Sequence, residues 1–186
     1  MPGTGLASII SALSGAAEVV VTDYPTPEIL ANIRGNITRN LKDRASGAVQ
    51  VVGHIWGDTG AQSALSRDFA EDAAGYFDIV LAADCLWMQG EHRNLLHSLF
   101  YFLSQSAAAR VFVVAGFHTG RAILVNFLEG AEETGFVVEK AWERDVFGTE
   151  RGFSRDEKHR PENATERSKW LMIAVLRKRR PGEGLV

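Results

Sequence analysis

A single cysteine, Cys85, stands among 186 residues. A disulfide within the chain and a cysteine-based metal cluster are therefore excluded, and a reducing compartment is the expected setting. A basic excess is missing too. Lys plus Arg is 20 against 23 for Asp plus Glu, a formal net charge of -3, so the positive surface of a general nucleic-acid binder is absent. No apolar run approaches the ~20 residues of a membrane span, and residues 1–14 lack the basic opening of a secretory signal. The expectation is a cytoplasmic protein with no nucleic-acid or membrane partner. No Gly-x-x-x-x-Gly-Lys-Ser/Thr run occurs, which removes a P-loop. No metal site is expected either, because no two histidines fall at helical four-residue spacing; His92 and His97 are five apart, on different helix faces.

What the sequence does have is the alternation of an α/β fold. Apolar, β-branched runs at residues 18–22, 49–55, 77–82, 110–116, 136–142 and 170–177 predict strands of a buried parallel sheet. Between them, residues 27–42, 91–105 and 121–134 carry apolar side chains at three- and four-residue steps, so each predicts a helix with one face on that sheet. Residues 1–180 read as one domain and 181–186 as a tail; Arg177-Lys178-Arg179-Arg180 reads as a solvated stretch after the last strand, with a nuclear address as the alternative. From 143 to 169 the chain holds seven acidic and seven basic residues. That balance predicts a solvated loop outside the core.

Gly3-Thr4-Gly5 leads into an apolar helical segment, residues 6–13, and then into a strand that ends on Asp23. A glycine turn opening a helix, followed by a strand tipped with a carboxylate, is the nucleotide-binding half of a Rossmann-like unit. Glycines let the backbone approach a ligand closely, and the carboxylate can accept hydrogen bonds from both hydroxyls of a ribose. The dinucleotide fingerprint wants a third glycine near position 8, where Ser8 stands, so NAD is disfavoured. Beyond the fourth predicted strand come Asp84, Trp87 and His92, on the rim where open α/β sheets bind ligands. His92 is a candidate general base, with an ordinary helix-start histidine as the alternative; His118, after the fifth strand, stands on the same rim. Phe117 and Phe147 are candidates to line an acceptor pocket, and His54 reads as structural.

Gly3-Thr4-Gly5, Asp23-Tyr24-Pro25, Asn32, Asn36, Ile55-Trp56-Gly57, Asp84 and Gln89-Gly90-Glu91-His92, in this order and spacing, resemble the seven-β-strand, S-adenosylmethionine-dependent methyltransferases of the lysine-methyltransferase type. The fungal branch similar to nicotinamide N-methyltransferases, which includes an enzyme acting on elongation factor 1-alpha, is the nearest likeness. The resemblance implies a Rossmann-like class I sheet with helices on both faces and S-adenosylmethionine as cofactor. It implies that Gly3 and Gly5 line the methionine part, Asp23 holds the ribose, Tyr24 flanks the adenine and Trp56 sits beside the cofactor. Ala83 and Asp84 would face the reacting centre. The implied activity is N-methylation of a protein lysine or N-terminal amine, with a translation factor among the candidate partners.

Two departures qualify the likeness. Family members with lysine substrates carry Asp-x-x-Tyr after the fourth strand, whereas this chain reads Asp84-Cys85-Leu86-Trp87, keeping an aromatic wall without the phenol oxygen. Only Met1 and Pro2 precede the glycine turn, where the family has a strand. The expected sheet is therefore N-terminally truncated and lacks its first, central strand, between those ending at Asp23 and Asp84. Two rival readings remain: methylation of a small nicotinamide-like amine, and a catalytically silent methyltransferase fold kept as an interaction module.

Overall fold

The computed structural model describes residues 3–41, 49–59, 73–156 and 164–184. They belong to two units, Met1–Asp72 and Ala73–Val186, each with its own sheet. Lys42 of the expected second helix and residues 157–163 of the charged segment lie outside the described residues.

In the first unit, Gly5 takes a left-handed backbone (φ 72°) and opens α1, Leu6–Leu13. That conformation is cheap only for a residue without Cβ. The valine run Val19–Asp23 forms β1, as β-branched side chains favour; α2, Pro27–Leu41, and β2, Val49–Gly53, follow. β1 and β2 pair in parallel from Val19 opposite Val49 to Asp23 opposite Gly53. Ile33, Ile37 and Leu41 repeat every four residues and turn one face of α2 onto Ile9, Ala12, Val19 and Val21. Each large side chain so buried contributes roughly 1.5–3 kcal/mol. The end of β2 passes so close to Pro25 that a Cβ on Gly53 would meet the proline Cβ at 2.7 Å.

The second unit contains β3, Ile79–Ala83, a 3-10 turn at Gln89–Glu91, and α3, His92–Phe102. Then come β4, Arg110–Gly116, α4, Arg121–Thr134, β5, Phe136–Asp145, and β6, Glu150–Gly152. The short α5, Ala164–Arg167, leads into β7, Trp170–Lys178. The strand order is β3-β4-β7-β5-β6. β3 and β4 are parallel, while β7 lies antiparallel to both β4 and β5. The expected parallel sheet is thus corrected to a mixed one: an antiparallel neighbour can enter without the crossover that a parallel one requires. The core combines Leu124, Phe127 and Leu128 of α4 with Val111, Phe136, Met172 and Leu176 of the sheet, all fully buried. Gly135, left-handed at φ 104°, ends α4 and turns the chain into β5.

The charged segment also needs correction. It supplies the end of β5 and all of β6, which pair as a hairpin, and its first residue, Glu143, is completely buried. Opposite charge makes this tolerable. Glu143 Oε1 accepts a hydrogen bond from Arg121 at 2.5 Å, and its Oε2 accepts one from Arg151 Nε at 2.7 Å. Among the described residues, β1 pairs with β2 alone and β3 with β4 alone, and Ile79 and Leu81 on β3 remain substantially exposed.

Candidate active-site residues

In the first unit the glycine turn is fastened to Asp23. The Gly3 N–H donates to Asp23 Oδ2 at 3.2 Å and the Tyr24 N–H to Oδ1 at 2.8 Å. These donors orient the carboxylate and still leave lone pairs on both oxygens for a ligand's hydroxyls. A Cβ on Gly3 would collide with the Asp23 carboxylate, so the contact requires glycine. From α2, Asn36 donates its side-chain N–H to the Thr4 carbonyl at 3.0 Å, and Asn32 reaches the Gly3 carbonyl at 3.5 Å. The helix thereby holds the turn from outside. Tyr24, beside Asp23, is exposed.

Trp56 lies half-buried in the turn after β2, where Gly57 has φ 85°. The preceding His54 ties this turn to β1, its N–H donating to the Asp23 carbonyl at 2.9 Å. His54 itself is buried. Desolvation pushes its pKa below the ordinary histidine value, against a smaller upward pull from Asp58. It is held neutral, as expected of a structural histidine.

In the second unit, Ala83 and Asp84 occupy the carboxyl end of β3. Asp84 is the only non-glycine with positive φ among the described residues, at 56°. An aspartate held in the left-handed region signals a turn imposed by its surroundings. Its N–H donates to the Val114 carbonyl at 2.7 Å, and the Gly116 N–H donates to its Oδ1 at 3.3 Å. His118 Nε2 lies 3.6 Å from the same Oδ1, both side chains being largely exposed. Gly116 permits this arrangement: a Cβ there would meet the His118 ring at 2.5 Å. Parallel register brings the β3 and β4 ends side by side, Ala83 opposite Val114, so Asp84 and His118 share one rim.

Trp87 projects outward, 54% exposed. His92 does the opposite. It is buried, accepts or donates at 2.9 Å with the Leu86 carbonyl, and packs edge-on against Phe127 at 5.2 Å between ring centroids. In this unit its contacts are those of a packing residue, and His118 is the histidine beside Asp84.

Of what surrounds His118, Phe117 was legible in the sequence, whereas Arg167 and Ser168 were not. A cleft of about 240 Å³ opens against Phe117, His118, Arg167 and Ser168. The buried Phe117 is braced: the Arg121 guanidinium lies 4.8 Å from its ring and 5.3 Å from that of Phe153. Glu143 in turn holds Arg121. For Glu143, Arg167 and Ser168, the equal counts of acid and base between 143 and 169 were the trace in the sequence. Phe147, by contrast, stands almost wholly exposed at the β5–β6 turn, where its backbone N–H donates to Asp145 Oδ1 at 2.9 Å.

A profile of the family described as lysine methyltransferase matches residues 2–133. The protein N-terminal and lysine N-methyltransferase efm7 of Neurospora crassa is 32% identical over 146 residues, covering 73% of this chain and 50% of that protein. Its namesake from Schizosaccharomyces pombe is 30% identical over 143 residues, covering 76% and 54%. The chain thus spans about half the length of these curated relatives. Among solved structures, an S-adenosylmethionine dependent methyltransferase from Mesorhizobium loti has a TM-score of 0.60 at 14% identity, over 94% of this chain and 87% of that one. The [4+2]-cyclase SpnF has a TM-score of 0.61 at 13% identity, over 95% and 72%. At such identities the likeness establishes the Rossmann-like methyltransferase fold, and SpnF's own name indicates that the fold also serves other chemistry.

Proposed function

Because this chain belongs to the lysine methyltransferase family, we propose that it is an S-adenosylmethionine-dependent N-methyltransferase acting on a protein lysine or N-terminal amine. The observation that carries the reading is the Asp23 carboxylate, fixed at the strand end by two backbone N–H groups in a turn that only glycine accommodates. That pair of acceptors fits a ribose: two rigidly aimed oxygens with acceptor capacity to spare. Tyr24 and Trp56 supply aromatic surface for the adenine, and Gly3 and Gly5 allow close backbone approach to the methionine part.

The bound cofactor would supply a methyl group on a sulfonium. The chain's own task is to present an amine lone pair in line and unprotonated. Asp84 takes this role with Ala83: its strained backbone and the Gly116 N–H aim the carboxylate at one point on the rim, where it accepts a hydrogen bond from the acceptor amine. Trp87 walls that point. Its exposure favours an open groove for a protein acceptor over the closed aromatic cage of a nicotinamide-like one. A translation factor is the acceptor suggested by the sequence resemblance, and the lone cysteine supports a cytoplasmic setting.

Calorimetric titration with S-adenosylhomocysteine, beside Asp23→Ala and a circular dichroism check, tests the reading. The expected result is micromolar binding by the chain, about -8 kcal/mol, weakened at least tenfold in a folded Asp23→Ala. A folded chain that does not bind would favour the silent interaction module.

A further inference from the structure

We infer that the cleft beside Asp84 is an acceptor subsite for a carboxylate, so that the preferred substrate is a peptide amine with an acidic residue close by in sequence. This rests on the N-methyltransferase reading and adds a specificity to it. Arg167 lines the cleft with Phe117, His118 and Ser168. Its Nε is buried with no hydrogen-bond partner, and among the described residues no carboxylate pairs with its guanidinium. The neighbouring cations are committed: Arg121 and Arg151 to Glu143, Lys169 to Glu166, and Arg155 to Glu132. A guanidinium left unmatched in a cleft, with a fork geometry suited to carboxylates, is a receptor for one.

The surroundings say which carboxylate. The His118 imidazole lines this cleft with Arg167 and approaches Asp84 to 3.6 Å, so a carboxylate that attracts an amine stands beside a cleft whose guanidinium attracts an acid. A ligand that satisfies both carries an amine and a carboxylate a short distance apart. The site is also firmly built. Phe117 behind it is held by Arg121, itself locked by the buried Glu143, and the Arg167 Nη1 lies 4.0 Å from the Cβ position of Gly120, where a longer side chain would crowd it.

Labelled peptides carrying one lysine, with glutamate or glutamine walked through the neighbouring positions, provide the test. Their affinities for the full chain are read by fluorescence polarisation in the presence of S-adenosylhomocysteine. At one or two positions the glutamate peptide should bind roughly tenfold tighter than its glutamine twin, and added salt should shrink that preference. Arg167→Gln should abolish it with cofactor affinity unchanged, and Arg167→Lys should restore part of it. Equal binding of the twins at every position, no binding of any peptide, or a preference that survives Arg167→Gln would overturn the subsite. Failure of the chain to bind S-adenosylhomocysteine would instead count against the methyltransferase reading itself.

Discussion

The two units treat buried polarity in opposite ways. Among the described residues the first keeps its interior free of charge: its core is aliphatic, and its buried titratable side chain, His54, has its pKa lowered by desolvation so that it stays neutral. The second buries a full carboxylate, Glu143, between two guanidiniums. Their carboxylates diverge accordingly. Asp23 and Asp84 are held by backbone N–H groups and retain capacity for a ligand, whereas Glu143 gives both oxygens to arginines of its own chain. Backbone donors aim a carboxylate without cancelling its charge; salt bridges cancel it. The first arrangement is suited to binding and the second to fixing structure.

The largest expected effect comes from breaking the buried cluster. Glu143→Ala removes the carboxylate that buried Arg121 and Arg151 share and should destabilise the second unit by about 3–5 kcal/mol, read as earlier urea unfolding and as lost amide protection in β4, β5 and β7. Protection in α2 and β1 is expected to change little. An unchanged urea midpoint would mean that the cluster is no more than decoration.

The first unit should show its difference through pH. A histidine whose folded pKa lies below its unfolded value binds fewer protons when folded. No stability is lost on this account above about 6.5, and stability declines as pH falls through that value toward the lowered folded pKa. Protection factors of the β1 amides, with the intrinsic pH dependence of exchange divided out, should therefore fall between neutral and mildly acidic pH. His54→Gln should flatten that dependence; an identical pH profile in the variant would assign the effect elsewhere.

The smallest effect is expected from an exposed pair. Arg155 forms two hydrogen bonds to Glu132, which hold that carboxyl below the ordinary glutamate range. In solvent such a pair contributes about 0.2–1 kcal/mol. Arg155→Ala should shift the urea midpoint only slightly, and a loss comparable to that of Glu143→Ala would erase the distinction between buried and surface charge in this unit.

Much of the architecture could be read locally. Residues 110–116 and 121–134 were expected as a strand and a helix, and β4 and α4 have those bounds. The apolar period and the flanking Gly120 and Gly135 are signals carried within a few residues. The glycine turn and Asp23 were legible for the same reason, since turn, helix and strand tip follow one another in sequence. The charged segment misled because its composition records only that charges are present. Whether a carboxylate is solvated or buried depends on what lies opposite, and Arg121 is 22 residues before Glu143.

By itself the sequence determined the family, the carboxylates that cap β1 and β3, and the identity and order of the elements outside residues 143–169, where β6 and the short α5 were not foreseen. Tertiary structure decided that β7 enters antiparallel between β4 and β5, that Glu143 joins the core, that His118 rather than His92 stands beside Asp84, and that Arg167 lines a cleft there. Each of these depends on register and helix phase between distant segments. Hydrophobic period and glycine caps act over a few residues, whereas pairing of charges and alignment of strand ends are fixed only when the sheet closes.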